Sequence, residues 1–297
     1  MTTVSCDIAA YAGGLARKVA ARAVLLYADA IADDEELRQI LRGLDHRTLL
    51  VTRARHEREL PTNDGCTWVT VPDVYLSRGA QLKSALLVCL ARQVLQHGDR
   101  VLFIGGADGS GALDTVLVFN VGMLPELFSL ADATAFAGEV IPEVFERVLL
   151  LATQLAVEGR EGRPVGTLFV VGDSERVLSQ SRSLVLNPFQ GHPESQRNIL
   201  NPCLDETIKE FSALDGAFIV REDGVVLSAG SQLVPSVAHS DLPGGLGTRH
   251  AAAAGITAST SAVAVCVSQS TGTVSLYRSG ELVTSIPRPV YGVRLAG

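Results

Sequence analysis

The chain is predicted to be a two-domain α/β protein, and three observations carry that prediction. Its 297 residues, 47% hydrophobic and 19% charged, exceed what one small core needs. From Arg22 to Asn120, short β-rich runs alternate with helical stretches in the rhythm of βαβ units and a mostly parallel sheet. Between Gly122 and Glu139 that rhythm weakens into GMLPELFSLADATAFAGE, where Pro125 and mixed polarity mark a boundary. The first domain is therefore assigned to residues 1–124 and the second to 125–297.

In the first domain the expected strands are AVLLYAD, TLLVTR, TWVTVP, RVLFIGG and TVLVFNV, with an acidic helix over 33–42 and a second helix over 79–97. Leu82, Ala85, Leu86, Cys89 and Val94 place one apolar side on that second helix, and His97-Gly98 is expected to cap it. GGADGSG, at 105–111, has no lysine and so is no Walker loop; it reads as a βα turn. In the second domain a helix is expected over 142–158, with Pro142 in its first turn where a missing N–H costs nothing. Strand TLFVVG, a helix over 174–186 and an irregular connector with three prolines, NPFQGHPESQRNILNP, follow. Helix LDETIKEFSAL then leads to a strand, a hairpin turn at Glu222-Asp223-Gly224 and a second strand, VVLSAG.

The net charge of −7 and pI of about 5.4 argue against broad binding to duplex nucleic acid. No apolar run reaches bilayer length, and MTTVSCDIAAYAGG lacks the regions of a signal peptide, so a cytoplasmic location is expected. Cys6, Cys66, Cys89, Cys203 and Cys266 are odd in number and free of CxxC spacing, and are expected to be reduced, mostly core residues.

Three elements of the second domain carry chemistry. Asp215-Gly216-Ala217 stands at the mouth of a buried strand, where a carboxylate can reach a metal ion and a glycine lets a ligand approach the backbone, although DG is also a common turn. Gly247-Thr248-Arg249-His250 ends a glycine-rich loop and opens an alanine-rich helix. Helix-start N–H groups with a hydroxyl, a guanidinium and an imidazole suit a phosphate; the alternative is a Thr248 cap beside two solvated side chains. Ser268-Gln269 ends a strand before a turn at 270–272, placed to bind a ligand or simply to satisfy turn backbone.

In this order and spacing the three elements resemble the diadenylate cyclase domain, whose marks are a DGA strand start, a GTRH phosphate motif and a strand ending in Ser. The resemblance covers roughly residues 125 to 286, including VVGDSE, NPF with RNIL, TIKEF, SQLVP and VSQ. The first half is similar to the pyruvate-kinase C-terminal-like domain of archaeal-type members, which lack membrane helices and a DNA-binding module. A mixed-sheet α/β cyclase domain is implied. So is condensation of two ATP into cyclic di-AMP, with Mg²⁺ or Mn²⁺ and a face-to-face homodimer or higher homo-oligomer through the cyclase domains. The resemblance places Leu233 near adenine. Gly216, Gly247, Thr248, Arg249, His250 and Ser268 are ATP-binding, with Asp215 near the metal and the 3′-hydroxyl; Asp215, Arg249 and His250 are the catalytic set. Two departures stand out: Ala251 replaces the last Arg of an RHR motif, and Gln269-Ser270 replaces an acidic pair. They support a rival reading, a nucleotide sensor or scaffold that kept the fold and lost the chemistry. His46, His56, His97 and His239 are expected to be solvated, and His192 is assigned no chemistry.

Overall fold

The computed structural model describes residues 3–53, 66–123, 140–235 and 247–288, and the chain divides into two compact units. In the first, β1 (Ala23–Tyr27), β2 (Thr48–Arg53), β3 (Cys66–Val71), β4 (Arg100–Gly105) and β5 (Thr115–Asn120) form one sheet in the order β3-β2-β1-β4-β5. The first four strands are parallel, and β5 runs antiparallel to β4. Every residue of β1 and β2 is buried, which is why both read as unbroken apolar runs rather than alternating ones.

Helix α1 (Val4–Lys18) was not foreseen. Its buried residues are Ser5, Ala9, Ala12, Gly13 and Ala16, so its packing face is made of small side chains that leave little hydrophobic contrast in the sequence. α2 (Asp34–Leu44) covers the expected acidic helix, with the Asp33 carboxylate accepting from the Glu35 N–H at 2.9 Å as its N-cap. α3 (Arg78–Ala91) ends before the expected cap: Gln93 takes a left-handed φ of 55°, and nearly all of α3 from Ala80 onward is buried rather than one side only. The GGADGSG loop joins β4 to an antiparallel strand and is not a βα turn. Its Gly109 and Gly111 N–H groups donate to the Asp29 and Ala30 carbonyls at 3.0 and 2.9 Å, tying it to the end of β1.

The second unit holds α4 (Pro142–Glu158), β6 (Thr167–Val171), α5 (Ser174–Ser179), β7 (Ser181–Ser183), α6 (Asp205–Phe211), β8 (Ala217–Val220), β9 (Val226–Leu233), α7 (Thr248–Ser259), β10 (Val263–Val267), β11 (Val274–Arg278) and β12 (Glu281–Ile286). Its seven strands lie in the order β12-β11-β10-β6-β8-β9-β7, and among these pairs only β6 and β8 are parallel. The helix expected over 174–186 stops at Ser179, because Ser181–Ser183 leaves it to pair with β9. Leu168, Val170, Ala217, Ile219, Ala264 and Cys266 share one core with Ala253, Ala254 and Ile256 of α7. The alternate residues Phe169 and Phe218 stack their rings 5.0 Å apart, as the two-residue period of strands requires. All five cysteines are free, but only Cys89 and Cys266 are buried, fewer than expected.

A methyl group at Gly13 would lie 2.5 Å from the Leu44 carbonyl oxygen, whereas nothing stands within 4 Å of one at Gly14. Gly13→Ala is expected to destabilise the chain by about 1–3 kcal/mol through overpacking. Gly14→Ala is expected to stabilise it by about 0.5–1 kcal/mol, as alanine replaces glycine in an open helix position. Denaturant midpoints of the two variants read this contrast directly.

Candidate functional site

Strand direction gathers the candidate residues. β6 and β8 are parallel and begin at the same edge of the sheet, while β9 and β10, antiparallel to them, end there. Gly166 before β6, Asp215 and Gly216 before β8, Leu233 ending β9 and Ser268 after β10 therefore meet at one edge, and α7 starts beside them.

Gly216 is glycine for a steric reason. Its φ is +101°, and a Cβ there would stand 2.8 Å from Gly230 C and from both Ser231 N and O. The β8–β9 register also shifts between Ala217 and Ile219, so this close approach occurs at an irregularity of the ladder. Asp215 is thereby presented outward, with its side chain 84% exposed.

Gly247 caps α7 without a side-chain hydrogen bond, and the first turn carries no acidic residue. The opening N–H groups of a helix have no partner inside it, so this end offers donors and partial positive charge. Thr248 does not act as the cap; it is the first helical residue. Arg249 Nη2 donates to Asp215 Oδ1 at 3.2 Å, while Arg249 Nε is buried with no hydrogen-bond partner among the described residues. The guanidinium is thus already aimed at the carboxylate. His250 is not solvated: it is 8% exposed and packs edge-on to Tyr277, with ring centroids 6.0 Å apart. Burial pushes its pKa below the ordinary histidine range.

Two cavities share Thr248 and Arg249 as lining residues. The smaller, about 300 Å³, has apolar walls from Leu168, Leu184, Leu233 and Ala252 and holds Asp215 and Gly216 at its polar side. The larger, about 590 Å³, contains Gly247, His250 and Ser268, and its further polar lining comes from Ser and Thr hydroxyls, Gln269 and Tyr277. The Ser268 hydroxyl accepts from the Thr271 N–H at 3.3 Å, so it serves the turn while facing the cavity. Among the described residues, Asp215 is the only carboxylate lining either space.

Several lining residues escaped sequence reasoning. Leu168 and Ala252 are ordinary core residues by type, and Tyr277 lies on a strand far along the chain. Gly166 is the most informative omission: a Cβ there would come within 2.9 Å of Gln269 Cβ and 3.1 Å of Arg249 Nη1. Its only sequence signal was a glycine opening a strand. Gly244 and Gly245 of the loop, and His56 and His239, lie outside the described residues. His46 is engaged in the fold, its Nε2 lying 2.8 Å from the Ala21 carbonyl oxygen, and is not merely solvated.

Both halves of the chain are similar in sequence to known families. Residues 154–282 match a family model described as DisA bacterial checkpoint controller nucleotide-binding, and residues 8–126 match one described as probable sensor domain DacZ_P. A diadenylate cyclase of Haloferax volcanii is 33% identical over 228 residues, covering 76% of this chain and 81% of that protein. The chain belongs to the diadenylate cyclase family. A second member, the diadenylate cyclase of Methanocaldococcus jannaschii, is 37% identical over 203 residues, which is 68% of this chain but 64% of the relative's own length. Among solved structures, a hypothetical membrane spanning protein from Bacillus cereus aligns at a TM-score of 0.39 and 23% identity, over 52% of this chain and 69% of that one. DacA from Staphylococcus aureus, as a double mutant, aligns at 0.32 and 24%, over 49% and 88%.

The depressed pKa of His250 has a signed consequence for stability. An unfolded histidine takes up its proton below about pH 6.5, whereas the buried folded one resists it, so the unfolded state binds more protons as the solution is acidified. Stability is expected to fall as pH drops below that value. His250→Asn is expected to flatten this part of the profile, read as thermal midpoints between pH 5 and 8.

Proposed function

We propose that the chain is a diadenylate cyclase that condenses two ATP into cyclic di-AMP and two pyrophosphates. The observation that carries this reading is the pair of adjoining cavities that share Thr248 and Arg249, one apolar and one hydroxyl-rich, with Asp215 on the apolar one. Adenine suits the apolar walls around Leu233, and the ribose then reaches Asp215 and the Gly216 backbone. The triphosphate runs past Thr248 and Arg249 toward Gly247, His250 and Ser268, where helix N–H groups and hydroxyls donate to its oxygens.

In each of two equivalent steps, the 3′-oxygen of one ATP bonds to the α-phosphorus of the other, the bond from that phosphorus to the bridging oxygen of pyrophosphate breaks, and the 3′-proton is lost. Arg249 leaves Asp215 to pair with phosphate oxygens and supports the departing pyrophosphate. Asp215, released, faces the 3′-hydroxyl. His250, neutral and packed on Tyr277, donates a hydrogen bond from its ring N–H to the phosphates without adding charge. Each chain supplies one such site, so two antiparallel ATPs require two chains facing each other, as a homodimer or higher homo-oligomer through the cyclase domains.

Among the described residues no three His, Cys, Asp or Glu side chains group as a metal site. A single carboxylate fits Mg²⁺ or Mn²⁺ only if substrate phosphates complete the shell, and Asp215 is the residue that would hold it. When bound, the ion would lower the pKa of the 3′-hydroxyl and neutralise developing charge. We assign residues 1–124 to a pyruvate-kinase C-terminal-like domain with a sensing role and 125–297 to the cyclase. No helix among the described residues is long and apolar enough to cross a membrane; the placement proposed here is cytoplasmic.

Ala251 and Gln269 favour a second reading, a nucleotide-binding sensor without turnover. Incubation of the purified chain with ATP and either metal, followed by mass detection of products, separates the two. Cyclic di-AMP from the wild type and at least a hundredfold less from Asp215→Asn is the expected result; ATP binding without product by the wild type selects the sensor. Gly166→Ala, which crowds Arg249 and Gln269, is expected to lower turnover about tenfold or more, as small displacements of positioning groups do. Its far-ultraviolet circular dichroism should stay that of the wild type.

A further inference from the structure

β11 gives the larger cavity a polar floor that the base and ribose contacts leave unused. Side chains alternate between the two faces of a strand, so Ser275 and Tyr277 share one face of β11 while Val274 and Leu276 take the other. Strand register sets Ser275 beside Cys266 of β10 and Ser285 of β12, and Tyr277 beside Ala264 and Leu282. Cys266, Ala264 and Tyr277 belong to the core under α7, so the sheet face that is apolar beneath the helix continues outward as hydroxyls. Burying a hydroxyl costs free energy unless a partner takes it up. Ser275 is 4% exposed and Tyr277 1%, both line the larger cavity, and the Tyr277 hydroxyl is buried with no hydrogen-bond partner among the described residues. Burial pushes the Tyr277 phenol up to about 12, so it keeps its proton and remains a donor. The first turn of α7, from Gly247 to His250, lines the same cavity and adds its N–H groups. Such a space calls for an occupant rich in acceptors.

The connectivity of a nucleotide decides which part of it meets this floor. Base, ribose, α-, β- and γ-phosphate follow in fixed order. With the base in the smaller cavity and the α-phosphate at Thr248 and Arg249, where the two cavities meet, the β- and γ-phosphates are the part that enters the larger one. We propose that Ser275 and Tyr277 donate hydrogen bonds to the β,γ end of bound ATP and hold it as pyrophosphate once its bond to the α-phosphorus has broken. The assignment rests on the cyclase reading and deepens it, since it makes the β11 floor the seat of the leaving group.

Two consequences follow from that placement. Charge gathers on the departing oxygens as the bond breaks, so hydrogen bonds made to them strengthen in the transition state and speed the reaction rather than only tightening ATP. The smaller cavity and the β11 floor are also separate seats. A nucleoside without phosphates and free pyrophosphate therefore occupy one chain together, whereas ATP, which fills both seats, excludes pyrophosphate.

The test is titration calorimetry of the full chain with adenosine and with inorganic pyrophosphate, neither of which can turn over. The wild type is expected to bind each, to keep its pyrophosphate affinity when saturated with adenosine, and to release pyrophosphate to ATP. Ser275→Ala and Tyr277→Phe are each expected to weaken pyrophosphate by about tenfold or more, the effect of removing one hydrogen bond to a charged group, with adenosine affinity unchanged. Phenylalanine keeps the ring against which His250 packs, so that variant isolates the hydroxyl from the packing. A wild type that does not bind pyrophosphate, exclusion of pyrophosphate by adenosine, or wild-type pyrophosphate affinity in either variant overturns the proposal. Should a variant fail to fold, amide chemical shifts of the wild type decide: pyrophosphate that moves the Ser275 and Tyr277 signals supports the floor, and pyrophosphate that leaves them in place overturns it. A chain that passes these tests yet makes no cyclic di-AMP refutes the cyclase reading and leaves the pyrophosphate seat intact.

Discussion

The cyclase-like unit depends on one close approach, that of the start of α7 to the edge where β6 and β8 begin. Gly166 and Gly216 make it possible, because a side chain at either would collide with Gln269 and Arg249 in one case and with the β9 backbone in the other. The approach sets Arg249 Nη2 3.2 Å from Asp215. With the carboxylate largely exposed, this pair is worth little to stability and is readily exchanged for a better anion. It holds the two groups near each other without locking them.

Local electrostatics at the two cavities differ from the chain's overall net charge of −7. Apart from Asp215, the cavity linings carry no acidic side chain among the described residues, and the helix start, Arg249 and a set of hydroxyls supply donors. The first unit shows the opposite arrangement. There Arg53 is buried among Asp29, Asp73 and Asp108 at the ends of the parallel strands; Asp29 also accepts from the Thr52 hydroxyl and the Arg53 N–H at 2.8 and 2.7 Å. These charges bind strand ends to one another and absorb the glycine-rich loop that carries Asp108.

His250 shows how one residue can serve both fold and site. Its ring packs on Tyr277, and Tyr277 shares a core with Cys266 and Ala253, so the imidazole's position is inherited from the packing under α7. Burial that fixes the ring also keeps it neutral, which suits a hydrogen-bonding role better than a charge-bearing one.

Much was legible from sequence because it depends on local chemistry. The buried runs of β1, β2, β4 and β6, Pro142 at the start of α4, the Asp223-Gly224 turn and the Gly-Thr-Arg-His opening of α7 each declare themselves in a few residues. α1 and β7 did not: one packs through alanine and glycine, and the other is a strand only because β9 offers it an edge. The sequence by itself determined where Asp215-Gly216, the Gly-Thr-Arg-His run and Ser268 stand relative to strand and helix ends, since type and spacing are local properties. Only the tertiary structure decided that Gly166 governs Arg249, that His250 is buried, and that two cavities meet at Thr248. Those facts follow from strands of alternating direction bringing distant segments to one edge, which local patterning does not encode.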